Sequence, residues 1–175
     1  QGVADEPIAP GNYLFSVSSG GGFLGPTESV SLEVLPGRTR DRKVLLTRLF
    51  DPRARGWYSA DLHHHADQAE ANTPPAEVAR SELAAGLDLL FVSDHDTTIN
   101  FPKMQEIAQR RGVTFIPGIE LSSSLGHFNA YPLQLDARLS VDTSLATVQE
   151  ILADGRRMGA IIIQANHPYI PYGYM

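Results

Sequence analysis

Cysteine is absent from this sequence of 175 residues. The chain can therefore form no disulfide framework, no thiolate metal site and no cysteine nucleophile. Any transition metal that the protein binds must be held by histidine, aspartate and glutamate side chains. The chain has 6 histidines and 20 acidic residues from which such a site could be built.

Long apolar runs and basic stripes are also missing. No run reaches the roughly 18 apolar residues that a membrane span needs, and no signal-peptide pattern follows Gln1. The net charge is −6, and the basic residues are scattered apart from short groups at 38–43 and 53–55. We therefore expect neither a membrane partner nor a nucleic-acid partner, because a nucleic-acid surface needs a basic stripe.

Hydrophobic residues make up 42% of the chain, which is enough to bury a core. Residues 1–55 are patterned like β-strands, with turns rich in Gly, Pro and Ser between them. The predicted strands are residues 12–17, 30–34 and 43–50. Three strands are too few to be stable alone, so we expect a partial β-sandwich-like, Ig-like appendage.

From residue 56 onward, helical patterns alternate with short apolar runs. Three helices are predicted, with apolar residues at helical spacing. The first, residues 74–85, can be capped by Thr73 and ended by Gly86. The second follows Pro102 and stops at Gly112, and the third covers residues 143–158.

The apolar runs between the helices are short and almost without polar residues, at 87–93, 113–117 and 160–165. Strands buried on both faces have this composition, as in a parallel sheet or a barrel wrapped by helices. A further strand is predicted at 57–62. The sequence therefore predicts an α/β domain at residues 56–175.

Polar residues follow these predicted strands at the points where they end. In a (β/α) barrel the carboxyl ends of the strands converge on one face, so such side chains would meet. His-x-His on a strand directs both imidazoles to one side, because side chains alternate with period two. His64 would then point away from the site. The residues concerned are His63, His65, Asp94, His95, Glu120 and His167.

Five motifs in this order resemble the PHP (polymerase and histidinol phosphatase) superfamily. They are Asp-Leu-His-x-His at 61–65, Ser-Asp-His-Asp at 93–96, Pro-Gly-Ile-Glu at 117–120, Gly-His at 126–127 and Asn-His-Pro at 166–168. The resemblance extends over Trp57–Met175. The run at 56–63 also resembles the carbaryl-hydrolase-like branch, whose members are often fused to Ig-like domains.

The resemblance implies a distorted (β/α)7 barrel and two or three divalent transition metal ions, Zn, Mn or Fe. The first ion would bind His63, His65 and Glu120, and the second would share Glu120 and add His127 and His167. A third would bind His95 and a carboxylate of the following loop, which is Glu70 or its alternative Asp67. His127 could instead be an ordinary strand residue.

Two aspartates, Asp61 and Asp94, are expected to orient neighbouring imidazoles by accepting their other N–H, with direct ligation as the alternative. The family closes its site with a late Asp-x-His, and nothing after His167 supplies it. About five predicted strands also cannot close the barrel. We therefore expect residues 56–175 to lack the C-terminal strands of the domain, which either a continuation of this chain or a further polypeptide segment would supply.

The function implied by the resemblance is hydrolysis of a small-molecule phosphoester by a metal-activated water. Carbamate, ester or amide hydrolysis is the alternative within the same fold. An alternative of another class is a non-catalytic binding module that is stapled by its metals. The β appendage, the lack of cysteine and a chain that begins at Gln1 point towards an exported protein.

Overall fold

The computed structural model describes residues 3–18, 27–68 and 71–169. The chain forms two compact units, Gln1–Gly56 and Trp57–Met175. Within the described ranges, every helix is too short or too polar to cross a membrane.

The first unit contains one two-stranded antiparallel sheet. Strand β1 (Gly11–Val17) pairs with β2 (Glu28–Val34), and a short 3-10 helix follows at Pro52–Arg55. The predicted strand at 43–50 is wrong, since only Arg48 makes a single β-bridge there. Leu45 and Leu49 of this segment are 79% and 69% exposed, so its β-prone residues have no apolar layer to pack against. The described residues therefore do not form a sandwich.

The second unit is mixed α/β, which confirms the prediction at the level of α/β class alone. Its elements are α1 (Pro75–Ala84), β3 (Leu89–Val92), α2 (Phe101–Arg111), β4 (Thr114–Pro117), β5 (Ile119–Ser123), β6 (Gly126–Tyr131), α3 (Val148–Arg157) and β7 (Ile162–Ala165).

The strands of this unit form two small sheets, and no closed barrel is present among the described residues. Strands β3 and β4 are parallel, as predicted. Strands β5, β6 and β7 form an antiparallel sheet, which the sequence did not predict. Strand β7 is also mostly exposed rather than buried on both faces. Its apolar sequence resembles that of a buried strand, but only β6 pairs with it in the part of the chain described.

The helices begin and end close to the predicted positions, with two corrections. Helix α1 begins after Pro74 without a side-chain cap, so the predicted cap at Thr73 is wrong. Helix α3 begins at Val148 rather than at residue 143, because Thr147 and Glu150 form a reciprocal capping box. Gly112 ends α2 as predicted, with a left-handed φ of 65° that suits glycine.

The core lies where α1 and α2 pack on β3 and β4, and it continues to β5 and α3. Phe101 and Phe115 meet edge to face with ring centroids 5.9 Å apart. The largest buried apolar side chains are Leu90, Phe91, Phe101, Met104, Ile119, Leu121, Ile151 and Met158. This packing fixes β3 and β5, the two strands whose ends and interior hold the candidate site.

Candidate metal centre

Glu120, the second residue of β5, is the centre of a cluster of imidazoles and is fully buried. Its Oε2 lies 3.3 Å from His63 Nε2, 3.2 Å from His65 Nε2 and 3.3 Å from His95 Nδ1. Its Oε1 lies 3.3 Å from His127 Nδ1 and 3.1 Å from His167 Nε2. The two carboxylate oxygens therefore face two different sets of histidines.

The predicted histidines and Glu120 thus come together, although not as one row of strand ends. Glu120 and His127 lie inside antiparallel strands, opposite Asn129 and Ser122 respectively. His95 lies three residues after the end of β3, and His167 lies two residues after the end of β7. The convergence expected from a parallel barrel is reached here through a hairpin.

The segment that contains His63 and His65 is irregular, so the predicted strand at 57–62 is wrong. Side chains still alternate along it. His64 points the opposite way, as expected, with Nδ1 at 3.2 Å from Glu82 Oε1 and Nε2 at 3.7 Å from Asp61 Oδ2. An open cleft on the His64 side is also lined by Ser81 and Leu87, and it contains none of the six clustered residues.

The turn after β3 adopts an unusual backbone conformation next to the cluster. Asp96 has a φ of 53°, in the left-handed region that side chains other than glycine seldom adopt. Its carboxylate accepts hydrogen bonds from Ser122 N at 3.0 Å and from Thr143 Oγ1 at 2.9 Å. Ser122 Oγ in turn lies at hydrogen-bonding distance from His95 Nδ1. This strained residue therefore ties β5 to the turn that holds His95.

The electrostatics of the cluster favour an ionised Glu120 carboxylate and a neutral His127. Burial raises the pKa of Glu120, but hydrogen bonds from His63, His65 and Asn166 outweigh it and hold the pKa far below the ordinary value. Burial lowers the pKa of His127, with the Glu120 charge opposing and His167 and His95 adding to the decrease. Neutral imidazole and carboxylate are the forms that bind metal ions.

The spacing of the donor atoms fits a bound transition metal. Ligands about 2.0–2.1 Å from a tetrahedral ion lie about 3.3 Å from each other. The triangle of His63 Nε2, His65 Nε2 and Glu120 Oε2 has edges of 3.1, 3.3 and 3.2 Å. Two sets of donors lie mutually within 4.8 Å, namely His63, Glu120 and His167, and His65, His95 and Glu120.

The remaining predicted carboxylates lie around the cluster. Asp61 accepts from the His63 backbone N–H at 3.1 Å. Asp94, which is 2% exposed, accepts from Ala66 N at 2.6 Å and from Asn100 Nδ2 at 2.8 Å. Burial raises the pKa of Asp94 despite these bonds. Both aspartates thus contact backbone or amide donors, and their expected role in orienting imidazoles stays a prediction.

The two alternatives for the third-site carboxylate differ in what can be said of them. Glu70 lies outside the described residues. Asp67 is exposed, and its Oδ1 accepts from Asn100 Nδ2 at 2.9 Å, a bond that lowers its pKa. Asn100 therefore holds Asp67 and Asp94 with the same amide nitrogen.

Two asparagines support the cluster by hydrogen bonds, a role that was not predicted from the sequence. Asn166 donates to Glu120 Oε1 at 2.8 Å, and Asn129 donates to the Leu62 carbonyl at 2.5 Å. Asn129 stands two residues after His127 on β6, so period-two alternation could have placed it on the same face. Asn166 directly precedes His167 in a motif that was recognised only for its histidine.

Comparisons with known proteins point to enzymes that act on phosphate esters. The chain is 32% identical to a 3',5'-nucleoside bisphosphate phosphatase of Chromobacterium violaceum over 104 residues. Those residues are 57% of this chain and 36% of that protein. It is 30% identical over 64 residues to a 5'-3' exoribonuclease of Haemophilus influenzae, which is 37% of this chain and 23% of that protein.

A third relative is a phosphoribosyl 1,2-cyclic phosphate 1,2-diphosphodiesterase of Eggerthella lenta, 30% identical over 63 residues, 36% of this chain and 24% of that protein. The chain thus matches about a third or less of the length of these curated relatives. No family model matches the sequence. The matches support hydrolysis of phosphoesters in general, by proteins whose names are typical of the PHP superfamily.

Proposed function

We propose that this chain contains the metal centre of a PHP-type hydrolase that cleaves phosphoesters with a metal-activated water. A bound divalent ion supplies two things in such a site, a lowered pKa of water and compensation of negative charge on phosphoryl oxygens. The observation that supports the proposal best is the convergence of five imidazoles on the buried carboxylate of Glu120.

The division of the cluster supports two ions, with Glu120 between them. A carboxylate can present one oxygen to each of two ions, whereas a single imidazole nitrogen cannot. His63, His65 and His95 lie nearest Oε2, while His127 and His167 lie nearest Oε1. The donor atoms of His63 and His167 also lie within 4.8 Å of each other, so His63 stands between the two sets. A third ion would need a further carboxylate beside His95, for which Glu70 and Asp67 remain the candidates.

The protein's own residues hold the Glu120 carboxylate in place. Hydrogen bonds from His63, His65 and Asn166 hold the pKa of Glu120 far below its ordinary value, which favours the ionised carboxylate. Asn166, 2% exposed, fixes the rotation of that carboxylate through its Nδ2. Partners of this kind fix the orientation of a metal ligand.

The substrate class that we propose is a phosphate ester of a nucleoside or a ribose. The names of the three relatives mention a nucleoside bisphosphate, a ribonuclease and a phosphoribosyl cyclic phosphate. Acid residues exceed basic residues in this chain by 20 to 14, which favours small substrates over long polyanions.

The test is a metal analysis of the purified protein followed by a substrate panel. We expect two or three ions of Zn, Mn or Fe per chain, and metal-dependent release of phosphate from nucleoside monophosphates or bisphosphates. A chromogenic phosphodiester, an aryl ester and a short oligoribonucleotide complete the panel. Cleavage of the aryl ester alone would replace the phosphoester proposal by ester or carbamate hydrolysis, and a metal-replete protein that cleaves nothing would overturn it.

Substitution of His65 by Ala separates catalysis from a purely structural metal site. For an enzyme, we expect loss of activity in a protein that still unfolds cooperatively. For a metal-stapled module, the fold would collapse with no activity to lose. Gln109→Ala, at an exposed position of α2, is the matched control and should change neither quantity.

We also propose that a further polypeptide segment packs beside β7. Among the described residues β7 pairs with β6 alone, and Ile161 and Ile162 are 73% and 48% exposed. An open strand edge with apolar residues is a pairing surface. Intact and native mass spectrometry test this proposal, because a completing segment, whether covalent or bound, adds mass to the 19.1 kDa of these 175 residues. A bare 19.1 kDa species with full metal content and activity would contradict it.

A further inference from the structure

The segment that holds His63 and His65 runs alongside β3, but one of the backbone hydrogen bonds expected of a parallel pair is missing between them. Ser93 N donates to the His64 carbonyl at 2.7 Å, as in a parallel pair. In a regular parallel pair the next hydrogen bond, two residues earlier on both segments, would join Phe91 N–H to the Leu62 carbonyl. Phe91 N–H instead donates to Glu82 Oε1 at 3.1 Å, and the Leu62 carbonyl accepts from Asn129.

The carboxylate of Glu82, in helix α1, replaces the Leu62 carbonyl as the acceptor for Phe91 N–H. Glu82 is 1% exposed and lies on the buried face of the helix, together with Val78 and Ala79. Its Oε1 accepts from Phe91 N–H and also lies at hydrogen-bonding distance, 3.2 Å, from His64 Nδ1. One oxygen thus joins α1, β3 and the irregular segment.

The position of His64 gives this contact a consequence for the cluster. Its neighbours His63 and His65 direct their imidazoles to Glu120, while its own ring points to the other side. Besides the bond from Ser93 N, the backbone of the segment is held by side chains, with Asn129 at the Leu62 carbonyl and Asp94 at the Ala66 N–H, rather than by a regular ladder. Holding the His64 ring at Glu82 therefore also holds the direction of the two rings that alternate with it.

We propose that Glu82 is a positioning residue for the metal centre, because its carboxylate fixes the segment between Leu62 and Ala66 by holding both His64 and Phe91 N–H. The inference rests on the proposed function, since it supposes that His63 and His65 bind ions. Glu82 touches none of the clustered donor atoms in any contact described above. Its effect on the ions passes through the orientation of the segment.

The choice of substitutions follows from the shared oxygen. Glu82→Gln keeps a carbonyl oxygen that can accept from Phe91 N–H and His64, so it should rescue most of the function. Glu82→Met keeps the volume and removes the acceptor. Glu77→Met makes the same change at an exposed position of α1 and serves as the matched control.

The experiment measures the affinity for Zn²⁺ by competition with a chromophoric chelator, and the visible spectrum of the Co²⁺-loaded protein. We expect Glu82→Met to bind Zn²⁺ about 10- to 100-fold more weakly than the parent protein and to show an altered Co²⁺ spectrum. Glu82→Gln should lie within about threefold of the parent, and Glu77→Met should equal it.

A second variant covers the case in which Glu82→Met does not fold. His64→Leu removes the ring that Glu82 holds and leaves the bond to Phe91 N–H intact, and it should weaken Zn²⁺ binding in the same way. Parent-like affinity and spectrum in folded Glu82→Met, or in His64→Leu, would overturn the positioning role alone. A parent protein that binds no metal would overturn the proposed function, and the positioning role with it.

Discussion

Asn166 donates from Nδ2 to Glu120 Oε1 at 2.8 Å, with both side chains buried. The same nitrogen donates to Asn129 Oδ1 at 2.9 Å, and Asn129 Nδ2 donates to the Leu62 carbonyl. A buried chain of hydrogen bonds therefore leads from the central carboxylate to the backbone that precedes His63. Such partners of metal ligands set the orientation of those ligands and influence the affinity for the ion.

Asn166→Ala should weaken both the fold and the metal centre. Glu120 Oε1 and Asn129 Oδ1 would each lose a donor in a buried place, which costs about 1–3 kcal/mol of the free energy of unfolding. Metal affinity should fall by about 10- to 100-fold. Denaturant unfolding and Zn²⁺ competition measure the two effects. Asn12→Ala, the same change at an exposed site of β1, is the control, and equal behaviour of the two variants would argue against the hydrogen-bond chain.

Metal ions should stabilise the second unit against heat. An ion at 1,000 times its dissociation constant adds about 4.1 kcal/mol to the free energy of unfolding, if it binds only the folded state. For a domain of this size the melting temperature should rise by roughly 10 °C or more. Differential scanning fluorimetry with Zn²⁺ or Mn²⁺, and then with excess chelator, checks this. A melting temperature that responds to neither would contradict a metal site at Glu120.

Gly118→Ala should destabilise the junction between β4 and β5. A Cβ at this position would clash with Cζ and Cε2 of the fully buried Phe91 ring and would lie 3.2 Å from the Val92 carbonyl oxygen. Overpacking of this kind costs about 1–3 kcal/mol. Gly155 lies in α3, and a Cβ there would lie 3.3 Å from Cδ1 of Ile163 and of Leu121. Gly155→Ala should therefore change the free energy of unfolding by less than about 1 kcal/mol. Chemical unfolding of both variants provides the comparison.

Asp154 should make the stability of the second unit depend on acid pH. Burial raises its pKa, but hydrogen bonds from Arg157 and Ser140 outweigh this and lower the pKa to about 2 from 3.8. A depressed pKa in the folded state gives stability that is fully present above pH 4 and is lost as the pH falls towards 2. The shift corresponds to about 2 kcal/mol.

Unfolding of Asp154→Asn across pH 2–6 tests this dependence. The variant should lose stability above pH 4 and show a flatter pH profile between 4 and 2 than the parent protein. Asp136→Asn, at an exposed position, should keep the slope of the parent. Parallel profiles for the parent and Asp154→Asn would show that another group is responsible.

Features with a local cause could be predicted well from the sequence. Helix α2 ends at Gly112, because a left-handed residue is needed there and glycine adopts that conformation at little cost. The alternation that directs His63 and His65 to one side and His64 to the other also follows from the chain itself. Helix α3 begins later than predicted. The helical spacing of apolar residues already includes Leu145, which precedes the capping box at Thr147 where the helix begins.

Features with a non-local cause could not be predicted in this way. The apolar run at β7 suggested burial on both faces, yet exposure depends on which elements cover the strand. Glu82 occupies an apolar-face position of α1, and only the approach of His64 and Phe91 gives its carboxylate partners. Asn129 and Asn166 likewise acquire their partners from segments far along the chain.

By itself, the sequence determined the chemistry available to this protein: imidazole and carboxylate donors, no thiolate, and a His-x-His pair whose alternation is a property of the extended chain. Tertiary structure decided which donors meet. Glu120 became the centre because the hairpin of β5 and β6 turns it and His127 towards the histidines that follow β3 and β7. The histidines are divided between its two oxygens by contacts between residues up to 57 positions apart, and no local sequence pattern specifies such contacts.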